Sequence, residues 1–206
     1  MKRPQTLLAL VFICFSSLTC LCQDIGFGVL GGPNFYTTRV ETLDGDISYD
    51  GSSSKTNLHY HFGAFVDFSF SSELGIVGNV VYQNRGLALN PDTKLNYLDI
   101  NPLLKYDVNR SYGQGFYLKG GLRYSFLLSA KTFEGDMDVK DAFKSSNLGL
   151  VGGFGADISN FLGIELLVDY SPMNIFEDVD GESITSRLIG GNVRVVFYIE
   201  KVLNNR

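Results

Sequence analysis

Four groups of residues have types and spacings that suggest chemistry. The stretch QDIGFGVLGGPNFYTT holds Gly26, Gly28 and Gly31 as G-x-G-x-x-G, with Asp46 twenty residues beyond Gly26, the outline of a dinucleotide-binding turn. That fingerprint works only between a strand and a helix, where the helix N-terminus meets the pyrophosphate. Here an apolar leader occupies the preceding space, and Pro33 with NFYTT reads as extended chain. The pair Gly31-Gly32 also recurs as Gly120-Gly121, Gly152-Gly153 and Gly190-Gly191. A phosphate turn would occur once, whereas repeated paired glycines inside strands suit a sharply coiled sheet. No cofactor is expected.

Glu165 and Asp169 form a second group, as a carboxylate pair for acid-base work. On a strand, four residues at about 3.3 Å each put them on one face but roughly 13 Å apart, too far for glycosidase-type cooperation. His59 and His61 would share a strand face and could offer two nitrogens to a metal, yet the chain has no other histidine. Zinc sites usually take three or four protein ligands, so no metal is expected there. The last group is three acidic stretches, LDGDISYDG, FEGDMDVKD and FEDVDGE. Asp178, Asp180, Gly181 and Glu182 echo a calcium loop without the spacing of an EF-hand, and solvated loops are the expectation. With no G-x-S-x-G and no Ser-His-acid grouping, no catalytic residue is assigned and the chain is not expected to be an enzyme.

The elements carrying these residues alternate with period two. From Phe116 to Ala130 the even positions are Phe116, Leu118, Gly120, Leu122, Tyr124, Phe126, Leu128 and Ala130, while Lys119, Arg123, Ser125 and Ser129 fall on the odd face. A helix would mix these sets around its circumference; a strand separates them. The same dyad runs through 58–70, 98–107, 148–158, 164–171 and 189–200, and less cleanly through Ile25–Thr37 and Leu74–Leu87. That makes eight strands, many of them longer than the 5–6 residues usual in globular sheets and suited to the 9–11 that a tilted strand needs across a bilayer.

The connections alternate as well. SSE, NRSYGQ and SNF are short, whereas residues 38–57, 88–93, 132–146 and 177–186 link the remaining neighbours. Short turns on one rim and longer loops on the other are the asymmetry of an outer-membrane barrel, and an even strand number lets the first and last strands close it. The predicted fold is all-β: an eight-stranded antiparallel up-and-down transmembrane barrel, preceded by a signal peptide.

The first residues bear on compartment. Lys2 and Arg3, an apolar run from Leu7 to Phe15, and SSLTCLC before Gln23 have the order of a secretory leader. Residues 1–22 are read as signal peptide and residues 23–206 as the barrel. All three cysteines precede Gln23, so the exported part is no disulfide scaffold. The whole chain carries a formal charge of −5, and losing Lys2 and Arg3 makes it more acidic still. Nucleic acid is not an expected partner.

If the apolar face meets lipid, the other face fills a lumen just wide enough for side chains. Asp67, Arg85, Asp99, Lys105, Asp107, Lys119, Arg123, Asp157, Glu165, Asp169, Arg194 and Glu200 project there. Buried charges of both signs must pair or be hydrated, so a structural polar network is expected from Asp67, Arg85, Asp99, Lys105, Lys119, Arg123, Glu165, Asp169 and Arg194. An ion or proton path is the functional alternative for the same residues.

The segments GFGVLGGPNF, YLDINPLLKYDV, FYLKGGLRYSFLLSAK and GLVGGFGADI, together with Gln23 after the cleavage site, resemble the PorT-like outer-membrane β-barrel domain proteins of Gram-negative bacteria. The resemblance spans the chain from Gln23 onward. It implies a small barrel in the bacterial outer membrane, with outer-membrane lipid as partner and other cell-envelope proteins reached through the extracellular loops. It implies no shared catalytic residues. The C-terminal VRVVFYIEKVLNNR departs from the family by running past Phe197 and Tyr198, and a short periplasmic tail is expected. The expected role is structural, adhesive or secretion-accessory. The competing reading is a soluble periplasmic barrel of lipocalin type, with its apolar face inward around an apolar ligand.

Overall fold

Strands of alternating character have one stable arrangement when both faces must be satisfied and no edge may stay open, namely a closed sheet. The computed structural model has that arrangement. It describes residues 24–41, 59–87, 93–110, 112–132, 137–176 and 185–204. Eight strands follow one another: β1 (Asp24–Glu41), β2 (His59–Ser69), β3 (Leu74–Leu87), β4 (Thr93–Asp107), β5 (Phe116–Thr132), β6 (Ser146–Ser159), β7 (Leu162–Ser171) and β8 (Thr185–Tyr198). Each pairs antiparallel with its sequence neighbours, and β1 pairs with β8 to close the barrel. The leader and Asp46 lie outside the described residues, as do residues 43–51, 133–136 and 177–182 of the acidic stretches.

Two of the three connections on one rim are tight turns, while residues 108–115 link β4 to β5. Phe70 N–H donates to Leu74 O at 2.8 Å, and Ser71 Oγ accepts from Leu74 N at 3.0 Å, turning β2 into β3. Only Asn160 and Phe161 separate β6 from β7. A last short helix, α1 (Ile199–Asn204), follows β8 at this rim. Ile199 and Glu200, read from sequence as strand, therefore belong to a helix. Their side chains continue the dyad by coincidence of phase. Glu200 still turns inward, because its Oε2 accepts the N–H of Phe27 at 3.1 Å, just beyond where β8 stops pairing with β1. The carboxylate stands in for the next rung of the ladder, so the β1–β8 seam stays satisfied although β8 does not end the chain.

All four glycine pairs lie inside strands, on β1, β5, β6 and β8. A Cβ on Gly121 would lie 2.3 Å from Pro102 O, and one on Gly153 2.1 Å from Leu166 O. Adjacent backbones approach so closely at these points that only glycine fits. Gly26, Gly28 and Gly31 are likewise β1 residues, so the dinucleotide outline corresponds to a curved strand.

Two departures from the sequence reading have a common cause. Between β4 and β5 the register slips, with Asn96 opposite Ser129 but Tyr97 opposite Leu127. Leu128 is thus an extra residue, and such a bulge reverses the inside-outside phase beyond it. Ala130, placed by sequence on the lipid face, is fully buried on the inner face. Likewise β4 begins at Thr93 rather than Leu98, because Leu95 and Tyr97 are apolar yet point inward and so hide the alternation.

Candidate functional site

The barrel has two faces of opposite chemistry. Outward lie Ile25, Phe27, Val29 and Phe35 on β1, Tyr60, Phe62 and Val66 on β2, Leu104 and Ile100 on β4, Leu118, Leu122, Tyr124 and Phe126 on β5, and Ile164, Leu166 and Val168 on β7. On β3 the apolar band runs from Leu74 to Tyr82, about 20 Å along the barrel axis for strands rising about 3.3 Å per residue at a tilt near 40°. A band of this height approaches the roughly 25 Å apolar belt of outer-membrane barrels. Exposed apolar surface on this scale, encircling a molecule, calls for a lipid solvent.

The inner face holds every member of the expected network in a buried position. Near the tight-turn rim, Lys105 Nζ lies 3.3 Å from Asp67 Oδ2 and 3.7 Å from Asp107 Oδ2. The same ammonium sits 4.4 Å and 4.5 Å from the ring centres of Tyr112 and Tyr117, a cation–π enclosure. Tyr112 OH donates to Asp67. One level up, Glu165 accepts from Lys119 and, at 3.0 Å, from Tyr117 OH, with Arg194 Nη1 3.7 Å from its other oxygen. The register brings these together, since Glu165 pairs with Arg194 across β7 and β8.

A third level joins seven strands. Arg123 pairs with Asp169 and donates to Asn147 Oδ1 at 3.1 Å. Tyr36 OH donates to the other Asp169 oxygen at 2.8 Å and accepts from Gln83 Nε2, which also reaches Asn192 Oδ1 at 2.6 Å. Gln83 Oε1 accepts from Arg85 Nη2 at 3.1 Å, and Arg85 pairs with Asp99. The guanidinium is held between the rings of Tyr36 and Tyr97, 4.9 Å and 4.4 Å from their centres. Glu165 and Asp169 share the inner face of β7, and each has its own cation. Asp157 lies half-buried near the tight-turn end of β6, and Glu200 caps the seam.

The two histidines do not act as one ligand pair. His59 Nδ1 is 2.7 Å from Asn84 Oδ1, and Asn84 continues through Asn96 to Ser129. His61 is buried two residues further along β2. Among the described residues, no group of three His, Cys, Asp or Glu side chains is arranged to hold a metal ion.

At the opposite end the lumen changes character. Leu95, Tyr97, Leu127, Ala130 and Leu188 line it, and Phe143 and Ile175 enter from the two connections above them. Residues 137–141 of the second acidic stretch form a bridge between Lys131 and Asp138 and lead into a 3-10 turn at Lys140–Ala142. Their charged side chains face solvent, while Phe143 is buried beneath. Sequence reasoning passed over this apolar level, although consecutive Phe126, Leu127 and Leu128 were the signal that the phase changes there.

The orientation decides between the two barrel readings. A lipocalin-type barrel presents its charged face to water, and here that face is enclosed while the apolar face lies outside.

The family model for the outer membrane protein beta-barrel domain matches residues 17–177. The chain belongs to this family. Among solved structures, Neisserial surface protein A is similar in fold, with 15% identity over 85% of this chain and 100% of that chain and a TM-score of 0.50. Ail, the attachment invasion locus protein of Yersinia pestis, aligns at 14% identity over 86% of this chain and 100% of that one, with a TM-score of 0.49. The outer membrane protein OprG from Pseudomonas aeruginosa aligns at 15% identity over 84% and 92%, with a TM-score of 0.43. No curated protein matches the chain. This outer-membrane barrel is thus defined by its family match and by its closed eight-stranded fold.

Proposed function

We propose that this chain is a small, non-catalytic barrel resident in the bacterial outer membrane, exported by a leader cleaved before Gln23, with a lumen plugged by its own side chains. The plug consists of Asp67, Arg85, Asp99, Lys105, Lys119, Arg123, Glu165, Asp169 and Arg194. Its role is structural, adhesive or secretion-accessory, exercised through loops presented to other envelope proteins while lipid surrounds the wall. The quoted β1, β4, β5 and β6 segments favour the PorT-like branch of the family. No cofactor is required.

The observation carrying this reading is the inverted distribution of polarity: an outward apolar belt around a lumen whose charges are buried and paired. A water-filled pore would leave such charges solvated, whereas here each buried cation of the plug lies within ion-pair distance of a carboxylate. The test is to fractionate expressing cells and compare unheated with boiled samples in a gel. Recovery in the detergent-extracted outer membrane with a heat-dependent mobility shift is expected. Recovery in the soluble periplasmic fraction would overturn the placement.

A further inference from the structure

The apolar level at the loop end of the lumen has no place in a plug made of ion pairs, and it is completed by residues that are not strand residues. Phe143 and Phe176 form an isolated antiparallel bridge between the β5–β6 and β7–β8 connections, and their rings lie 5.2 Å apart. Lys144 N–H donates to Ile175 O at 2.9 Å, and Val139 N–H donates to Ala130 O at 3.0 Å. Asn147 Nδ2 reaches Met173 O at 3.4 Å. The two connections are thereby tied into one strap across the mouth. From it Phe143 and Ile175, 5% and 1% exposed, descend onto Leu95, Tyr97, Leu127, Ala130 and Leu188. Directly beneath are Arg85, Asp99 and Ser125, all fully buried.

We propose that this strap is a hydrophobic seal, a separate device that keeps extracellular water off the uppermost ion pair. The physical reasoning concerns access. Ion pairs are strong only where water is excluded, and Arg85 with Asp99 sits one level below the mouth. Apolar side chains exclude water without offering hydrogen bonds, so a layer of them forms a barrier that charges cannot. Strap and wall interleave at this level, where the strap needs a dry surface to dock on, while lower in the barrel Leu30, Phe65, Val77, Val81 and Val196 are buried apolar side chains with no strap over them. The proposal rests on the plugged-barrel reading, but its failure is separable from that reading. Ion current through the unaltered protein tests the plug, while chemical access to a residue under the strap tests the seal.

The experiment places a thiol beneath the strap as Ser125→Cys, a near-isosteric change one level below the apolar layer. Intact cells or reconstituted protein are treated with a small charged methanethiosulfonate, and the parent chain, whose cysteines all precede Gln23, supplies the background. With the strap intact, labelling is expected to be slow. Adding Phe143→Ala and Ile175→Ala is expected to raise the rate by at least about a hundredfold, since two large buried side chains no longer hold the mouth closed. Retention of the heat-dependent gel shift checks that the barrel is folded. Should the double change prevent folding, Ile175→Ala alone carries the test with an expected rise of about tenfold. Fast labelling with the strap intact would overturn the proposal, as would an unchanged slow rate in folded strap variants.

Discussion

The two ends of the lumen solve the same problem with opposite chemistry. Below the apolar layer, Lys105, Lys119, Arg194 and Arg123 meet Asp67, Asp107, Glu165 and Asp169. Toward the loops, Leu95, Tyr97, Leu127, Ala130 and Leu188 close on Phe143 and Ile175. The charged end is specified pair by pair, because each buried ion needs its partner at one geometry. The apolar end is specified by volume, and its closing residues arrive from loops. Sensitivity to substitution should therefore differ in kind: truncation at the charged end leaves an unpaired charge, while truncation at the apolar end leaves a cavity.

The largest effect is expected from breaking a pair. Arg123→Ala leaves Asp169 buried with Tyr36 as its remaining partner, and removing one member of a buried pair costs about 3–5 kcal/mol. Denaturant unfolding in detergent, followed by the gel shift, checks this. Leu95→Ala should cost about 2–4 kcal/mol through its cavity, a loss set by the volume removed and not by a charge left unpaired. Comparing Leu95→Met with Arg123→Met sharpens the contrast. The first should be nearly neutral on a volume argument, and the second should stay destabilising unless Asp169→Leu accompanies it. If the single and double changes at 123 and 169 are equally damaging, pairing is not what holds that level.

Smaller effects belong to the rim. Glu200→Ala removes the acceptor for Phe27 N–H at the β1–β8 seam, and a loss of about 1–2 kcal/mol is expected, visible as faster amide exchange at Phe27. The smallest belongs to Arg110 and Glu73, 3.2 Å apart with the arginine side chain 82% exposed. Arg110→Ala should cost less than about 1 kcal/mol and lose even that in high salt. A large effect there would remove the distinction between enclosed and exposed pairs on which the comparison rests.

Most of the charged end was legible in the sequence, and little of the apolar end was. Alternation is a local signal, so Asp67, Lys119, Arg123, Glu165 and Asp169 could be assigned to one face by counting in twos, and the register then brings them together. The same counting fails wherever phase slips. Leu127 and Leu128 are both leucine, so the bulge opposite Tyr97 shows in the sequence only as the apolar run Phe126, Leu127 and Leu128, and counting on in twos sends Ala130 to the wrong face. Leu95 and Tyr97 break the polar-inside pattern where they pack with Phe143 and Ile175. Phe143 and Ile175 meet only through two connections distant in sequence, which no periodicity describes. The glycine pairs were legible for a different reason, since recurrence inside alternating segments distinguishes a curved strand from a phosphate turn.

The central claim is that paired charges fill this lumen instead of lining a path through it. Conductance of the purified, refolded barrel in a planar bilayer tests it most directly. No stepwise current above that of the empty bilayer is expected at any moderate voltage. Reproducible unitary steps that disappear in Arg123 or Asp169 variants would contradict it, because current carried past those residues requires a wet and open interior.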